Sequence, residues 1–192
     1  ARSRDRMSKD VDRLARMVDE LLHIQRLEAA VAPPPVAVCE LGDVVACALE
    51  RLRPGLQAEG FAVEVAADGP AVVRCHSAEL SYAVELLLDN AVKYAAAGRW
   101  AGVSYGPAPG GRAFLRVCDR GPGLGAGEAS LVFEKFGRGA AARQGTVPGT
   151  GLGLSIVRRI VADHGGRVTA GPGPGGVGAC FEIVLPAAAG PD

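Results

Sequence analysis

The sequence predicts an α+β fold, a two-layer sandwich in which about three helices cover a mixed β-sheet, preceded by an N-terminal coiled-coil helix. Two observations predict this fold. Short apolar or alternating segments, typical of strands, are interspersed with long amphipathic segments, typical of helices. The segment before residue 31 instead carries a narrow apolar seam among charged residues, which indicates a separate helix that pairs with another helix.

The N-terminal helix is predicted from heptad spacing. Its apolar residues follow one another at spacings of four, three, four and three, as the a and d positions of a coiled coil do: Met7, Val11, Leu14, Val18 and Leu21. An amphipathic helix lying on its own domain is the alternative, but the seam is narrow for that role. Three consecutive prolines at 33–35 end the segment and indicate a linker.

The remaining elements are predicted from periodicity and turn residues. The predicted helices cover residues 41–52, 77–96 and 152–164, the last one ended by two glycines. The predicted strands cover residues 61–65, 72–75, 102–105, 113–118, 168–170 and 180–185.

Composition excludes several classes of protein. Lys+Arg and Asp+Glu are both 21 in 192 residues, so no basic excess suggests nucleic acid as a partner. No apolar run approaches the roughly 20 residues of a membrane helix, and the charged start does not resemble a signal peptide. We expect a cytoplasmic fragment without membrane contact, from a parent protein that could itself be membrane-anchored. Its five scattered cysteines are expected to be reduced and mostly buried.

The first motif with chemical meaning is Leu-Leu-Asp-Asn-Ala-Val-Lys-Tyr at 87–94, inside the long predicted helix. Asn90 and Lys93 are three residues apart and therefore share a helix face. An amide oxygen suits Mg²⁺ and a lysine suits a phosphate. A solvated polar helix face is the alternative interpretation.

The second motif is Asp-Arg-Gly-Pro-Gly-Leu at 119–124, directly after an apolar strand. An aspartate accepts hydrogen bonds, so Asp119 could accept one from the exocyclic amine of adenine. Gly121 and Gly123 would allow backbone to approach a ligand closely. A simple Pro-Gly turn explains the same residues without a ligand.

The third motif is Gly-Thr-Gly-Leu-Gly-Leu-Ser at 149–155, which opens a predicted helix. Free N–H groups and the positive end of a helix dipole favour a phosphate there, and a flexible hinge is the alternative. A formal Gly-x-Gly-x-x-Gly match at 171–176 lies between strands and is interpreted as a turn. The Gly- and Ala-rich stretch 137–149 is expected to be mobile and to bring Arg138 to the phosphates.

Taken in order, these motifs, with Phe-Glu-Lys-Phe-Gly-Arg-Gly at 133–139 between the last two, resemble the ATP-binding domain of sensor histidine kinases. That family belongs to the group shared with gyrase B, Hsp90 and MutL. Residues 147–154 are also similar to those of potassium-responsive sensor kinases. The resemblance implies bound ATP and Mg²⁺ and transfer of the γ-phosphoryl group to a histidine on a dimerisation helix.

The resemblance also implies residue roles and boundaries. Asn90 would bind Mg²⁺ and Asp119 would bind adenine. The other implied nucleotide-binding residues are Lys93, Tyr94, Gly121, Gly123, Arg138, Gly149, Thr150, Gly151, Leu152, Gly153 and Leu154. Residues 1–32 would be the C-terminal part of a dimerisation helix, 33–38 a linker, 39–187 the catalytic domain and 188–192 a disordered tail. Implied partners are a response regulator receiver domain, the protein's own dimerisation domain and a second subunit.

The sequence departs from the family pattern in two places. Leu86 stands four residues before Asn90, where the family often has a second asparagine. The phosphoacceptor motif is absent, and His23, His76 and His164 are interpreted as ordinary polar residues, so no catalytic residue is assigned. Two other functions therefore stay open: an Hsp90- or MutL-like ATPase using Glu85, and a degenerate nucleotide-binding module without activity.

Overall fold

The structure is a computed structural model that describes residues 18, 36–95, 98–125, 127–137 and 149–188. The chain divides into two units between Pro34 and Pro35, within the predicted linker. Val18 is helical and 52% exposed. The rest of the predicted N-terminal helix, Arg138 and the predicted tail beyond residue 188 lie outside the described residues.

The second unit alternates strands and helices, as predicted. Its helices are α1 (Leu41–Ala58), α2 (Ser77–Tyr94), α3 (Glu128–Leu131) and α4 (Gly153–Asp163), with a 3₁₀ turn at Pro174–Gly176. Its strands are β1 (Ala37–Glu40), β2 (Ala62–Ala67), β3 (Val72–Cys75), β4 (Trp100–Ala108), β5 (Arg112–Asp119), β6 (Arg167–Pro172) and β7 (Ala179–Pro186).

The main sheet has five strands in the order β2-β4-β5-β7-β6. Strand β2 runs parallel to β4, since the connection between them crosses over through β3 and α2, whereas the other neighbours are antiparallel. A small second sheet pairs β1 with β3. The sheet is therefore mixed, and the predicted α+β sandwich is confirmed.

The core lies between the sheet and one layer of helices, in which α2 packs between α1 and α4. Strands β5 and β7 turn alternate residues inward, among them Leu115 and Ile183, which are fully buried. The matching face of α2 carries Leu80, Leu87 and Leu88, also fully buried. This packing fixes α2 against the end of β5.

Two local predictions were wrong. Helix α1 was predicted to end at residue 52, before Pro54, but it continues to Ala58 because a proline removes one backbone hydrogen bond without preventing the next turn. Strand β1 was not predicted, and it places Ala37 and Val38, assigned to the linker, in the small sheet. Val38 is 55% exposed, so β1 lacks the buried alternation that identifies a strand.

The expectation that all cysteines are reduced was also wrong. Cys118 on β5 and Cys180 on β7 form a disulfide, while Cys39, Cys47 and Cys75 are free. The two bonded cysteines stand directly opposite each other in the sheet register although 62 residues separate them in sequence. Spacing along the chain does not reveal such a pair. Among the described residues, no helix combines the length and apolarity needed to span a bilayer.

Candidate functional site

Asp119 is the buried carboxylate at the end of β5, and it is 3% exposed. Its Oδ1 accepts hydrogen bonds from the backbone N–H of Gly121 at 2.7 Å and of Ala179 at 3.2 Å. Burial raises the pKa of Asp119, and these two hydrogen bonds oppose the rise. Because both bonds reach Oδ1, no hydrogen bond from the described residues occupies Oδ2.

Glycines allow three backbone segments to meet around this carboxylate. A Cβ on Gly121 would lie 2.8 Å from the carbonyl oxygen of Tyr94, so the turn after β5 touches the end of α2. Gly123 and Gly178 both have positive φ and lie against each other, with 2.9 Å from a Cβ on Gly123 to the Gly178 oxygen. Alanine would not fit at these positions, which explains the glycines of the second motif.

The face of α2 that carries Asn90 lies between the two glycine segments. Leu86, Asn90 and Tyr94 are four residues apart and share one side of the helix. At one end, a Cβ on Gly153 would lie 3.6 Å from Leu86 Cδ2, and at the other end Tyr94 meets Gly121. Asn90 is half-buried between these two contacts. The second and third motifs therefore flank the amide predicted to hold a metal ion.

Lys93 forms an ion pair with Asp89 on the same helix. Its side chain is 24% exposed and that of Asp89 is 35% exposed. The predicted phosphate cation therefore already has an anionic partner, with which a phosphate would have to compete.

The third motif begins α4 as predicted. Thr150 Oγ1 accepts a hydrogen bond from the N–H of Leu152 at 3.1 Å, and Gly153 is the first helical residue. The first N–H groups of a helix have no acceptor inside it, so the start of α4 offers donors and a positive dipole end. Gly149 and Leu154 are half-buried on either side.

Phe136 is joined to this segment, which sequence reasoning did not anticipate. Its N–H donates to the carbonyl oxygen of Gly151 at 2.9 Å, and a Cβ on Gly151 would lie 2.9 Å from the Phe136 backbone. The two residues bracket the stretch 138–148, which is outside the described residues and includes Arg138. Ala179 and Gly178 were also missed, because they act through backbone atoms and carry no chemical group that a sequence motif would reveal.

Comparison with known proteins gives the family. Residues 75–189 match the family described as histidine kinase-, DNA gyrase B- and HSP90-like ATPase. The chain is 36% identical over 193 residues to the sensor protein KdpD of Escherichia coli and 37% identical over 180 residues to the histidine-protein kinase/phosphatase MprB of Mycobacterium avium. These alignments cover 100% and 92% of this chain, but 21% of KdpD and 33% of MprB.

Solved structures agree with this assignment. A mycobacterial sensor histidine kinase MprB structure matches with TM-score 0.69 and 34% identity, covering 80% of this chain and 98% of that one. Full-length ShkA in complex with AMPPNP matches with TM-score 0.79 and 28% identity, covering 100% of this chain and 40% of that one. The fold and the family match define an ATPase-type nucleotide-binding domain. The chain belongs to the histidine kinase-, DNA gyrase B- and HSP90-like ATPase family. Over most of its length it is similar to sensor histidine kinases.

Proposed function

We propose that this domain binds Mg·ATP along the Asn90 face of α2 and donates the γ-phosphoryl group to a histidine of the dimerisation domain. The observation that carries the proposal is the contact of both glycine segments with that face, through Tyr94 at one end and Leu86 at the other. A nucleotide has a hydrogen-bonding base at one end and phosphates at the other, and the site offers a buried carboxylate and a helix N-terminus in the same order.

At the base end, Asp119 accepts the adenine amine at Oδ2, since Oδ1 is held by Gly121 and Ala179. A carboxylate fixed by two backbone donors is already oriented, so little side-chain freedom is lost on binding. Gly121 and Gly123 leave room for the ring to approach the backbone. Tyr94 lies beside them at the end of α2.

At the phosphate end, the first N–H groups of α4 and the backbone of the 149–153 segment bind the phosphates. Lys93 contributes a cation after exchanging Asp89 for a phosphate oxygen. Arg138 adds a second cation. These roles account for the remaining residues of the third motif: Gly149, Thr150, Gly151, Leu152, Gly153 and Leu154.

The residues present fit Mg²⁺ at Asn90. Mg²⁺ takes oxygen ligands and usually keeps waters while leaning on substrate phosphates, so a single half-buried amide oxygen between the two glycine segments is a suitable donor. The ion supplies charge neutralisation on the transferring phosphate. Asn90 orients it, and Leu86 contributes no oxygen at the preceding turn.

The chain spans about a fifth of KdpD and a third of MprB. From its similarity to these proteins, we infer an acceptor histidine on a dimerisation domain, a second subunit and a response regulator as its partners. Positioning and charge neutralisation dominate phosphoryl transfer, and both are functions of this domain.

An Hsp90- or MutL-like ATPase is less well supported. Glu85 would have to activate water, but its Oε1 lies 3.1 Å from Arg51 on α1. Five residues on a helix correspond to roughly 140° of rotation, so Glu85 and Asn90 face different ways. Phosphate release that is abolished in a Glu85→Gln variant would favour the ATPase.

Calorimetric titration with Mg·ADP tests the site. We expect Asp119→Asn to weaken binding about 10- to 100-fold, because a charged hydrogen-bond acceptor is lost. Asn90→Ala should weaken binding in Mg²⁺ and match the parent protein in EDTA, because its contact acts through the ion. Two variants serve as controls: Asp68→Asn alters an exposed carboxylate, and Gln57→Ala alters an exposed side-chain amide.

Unchanged affinity in both site variants would overturn the nucleotide assignment.

Labelled ATP then tests transfer of the γ-phosphoryl group. The chain alone should incorporate little label, because its three histidines lack the phosphoacceptor context, and a separately added dimerisation domain should become labelled. Strong labelling of the chain alone would contradict the proposed acceptor.

A further inference from the structure

Two histidines and a glutamate meet where the start of α2 approaches the end of α4. His76 precedes the first residue of α2, Glu79 lies in its first turn, and His164 follows the last residue of α4. One ligand atom from each side chain lies within 4.8 Å of the others, and all three residues are half-buried. Along α2, this cluster is about 20 Å from Asn90, so it lies apart from the nucleotide site.

The hydrogen bonds of His164 indicate its tautomer. Its Nδ1 lies 2.7 Å from the carbonyl oxygen of Ile160, so Nδ1 carries the proton and donates. Its Nε2 accepts the backbone N–H of His76 at 2.9 Å, so Nε2 carries no proton and directs its single lone pair toward α2. A metal ion bound at Nε2 would replace this hydrogen bond. Histidines that bind metal ions have this arrangement, with one nitrogen donating to a carbonyl or carboxylate and the other free of a proton.

His76 provides an independent observation. Its Nδ1 is buried and has no hydrogen-bond partner among the described residues. Buried polar atoms are nearly always paired, and an unpaired one requires an explanation such as an ion. The His76 and His164 rings lie edge to face with centroids 5.3 Å apart, which brings their nitrogens to the same small space.

We propose that His76, Glu79 and His164 bind a divalent transition-metal ion and that this ion links α2 to α4. Among such ions, Zn²⁺ fits the three side chains best. Two imidazoles and one carboxylate are a donor set for Zn²⁺, whereas Mg²⁺ and Ca²⁺ require oxygen ligands. In a tetrahedral site with Zn–N distances of about 2.0–2.1 Å, ligand atoms are roughly 3.4 Å apart. Starting from separations within 4.8 Å, the three side chains would therefore move closer together, and His164 Nε2 would exchange the His76 N–H for the ion. Three protein ligands leave the fourth position to water.

The two helix ends act on a cation here in opposite directions. The C-terminal end of α4 favours positive charge, whereas the N-terminal end of α2 opposes it. Glu79, in the first turn of α2, supplies the negative charge that offsets the second effect.

Titration of the chain with ZnCl₂ alone, in a buffer that does not chelate metal and without nucleotide, tests the proposal. We expect one equivalent to bind, and the His164→Gln and Glu79→Gln variants to bind at least about 10-fold more weakly. Glutamine at 164 keeps an acceptor for the His76 N–H, and glutamine at 79 keeps the shape of glutamate. His23→Gln, which alters the remaining histidine of the chain, should bind as the parent does.

A Co²⁺ titration identifies the donor atoms. We expect the Co²⁺ spectrum of the parent protein to lack a thiolate charge-transfer band. The absorption of bound Co²⁺ should be lost in His164→Gln. Zinc binding of equal strength in the parent and both variants, or a thiolate band that survives in them, would overturn the proposal. Loss of Mg·ADP binding in the Asp119 variant is a separate result, because the two clusters share no residue.

Discussion

The two ends of the proposed nucleotide site are built in different ways. At the base end, Asp119 is buried, accepts two backbone hydrogen bonds, and is surrounded by glycines that leave no space for a Cβ. At the phosphate end, Asn90 is half-buried, Lys93 is paired with Asp89, and the start of α4 presents open N–H groups. The carboxylate at the base end is already held by hydrogen bonds. At the phosphate end, Lys93 would have to leave Asp89 in order to bind a phosphate.

This difference matches what we propose that each end binds. Adenine is neutral and is distinguished by directional hydrogen bonds, so a fixed acceptor gives specificity. A triphosphate brings several charges and a metal ion, so its contacts form as protein ion pairs and water are displaced.

Gly178→Ala should be the most damaging change at the base end. A Cβ there would lie 1.9 Å from the Asp119 carbonyl oxygen, at a residue with φ of +74°. We expect the free energy of unfolding to fall by about 3–5 kcal/mol, from steric overlap and backbone strain together. Urea denaturation measures it.

Gly175→Ala is the matched control, because Gly175 has φ of +67° in the same loop but no atom within 4 Å of a Cβ. We expect that control to cost about 1 kcal/mol from strain alone. Equal losses in the two variants would show that close packing around Asp119 is not what holds the base end together.

Removing the disulfide tests a second constraint on the base end. Cys118 precedes Asp119, and Cys180 follows Ala179, so the bond joins the strands next to both ends of an Asp119 hydrogen bond. In a Cys118→Ala/Cys180→Ala variant, the free energy of unfolding should fall by about 2–4 kcal/mol. Cys47→Ala, which removes a free cysteine, is the control.

Nucleotide affinity should fall less in this disulfide variant than in Asp119→Asn, because Gly121 and Ala179 still orient the carboxylate. Calorimetry with Mg·ADP measures the difference. An affinity loss as large as that of Asp119→Asn would mean that the covalent bond, and not the two hydrogen bonds, orients Asp119.

The same contrast separates what sequence could and could not predict. The helix face of Asn90, the turn after Asp119 and the start of α4 were predictable, because local periodicity and glycine spacing encode them. The bond from Ala179 to Asp119 and the Cys118–Cys180 pair join residues about 60 positions apart. They depend on the register of β5 with β7, which no local pattern specifies. The pairing of His76 with His164 depends in the same way on how α2 packs against α4.

The pH dependence of the stability of Asp119→Asn should reveal what it costs to ionise the buried Asp119 carboxyl group in the parent. Burial raises the folded pKa of Asp119 above its unfolded value, so its contribution to stability is complete below the ordinary aspartate pKa and is lost as pH rises through the raised pKa. The stability of Asp119→Asn relative to the parent should therefore increase from about pH 3 to about pH 7.

Urea unfolding at several pH values measures this trend, with Asp68→Asn as the exposed control. Relative to the parent, the variant would then be more stable at about pH 7 than at about pH 3, while binding nucleotide poorly. A relative stability that falls with rising pH would show that the hydrogen bonds from Gly121 and Ala179 outweigh burial.

The smallest expected effect concerns the phosphate end. Asp89→Asn should lower the free energy of unfolding by only about 0.2–0.5 kcal/mol, because Asp89–Lys93 is a partly exposed pair one turn apart on a helix. Asp163→Asn, which removes the similar Arg159–Asp163 pair on α4, is the control and should cost about the same. Freed from Asp89, Lys93 should bind phosphate more readily, so affinity for Mg·ADP should rise slightly in Asp89→Asn and stay constant in Asp163→Asn. An affinity loss comparable to that of Asn90→Ala would show instead that Asp89 itself contacts the metal or the nucleotide, and that the phosphate end is preformed like the base end.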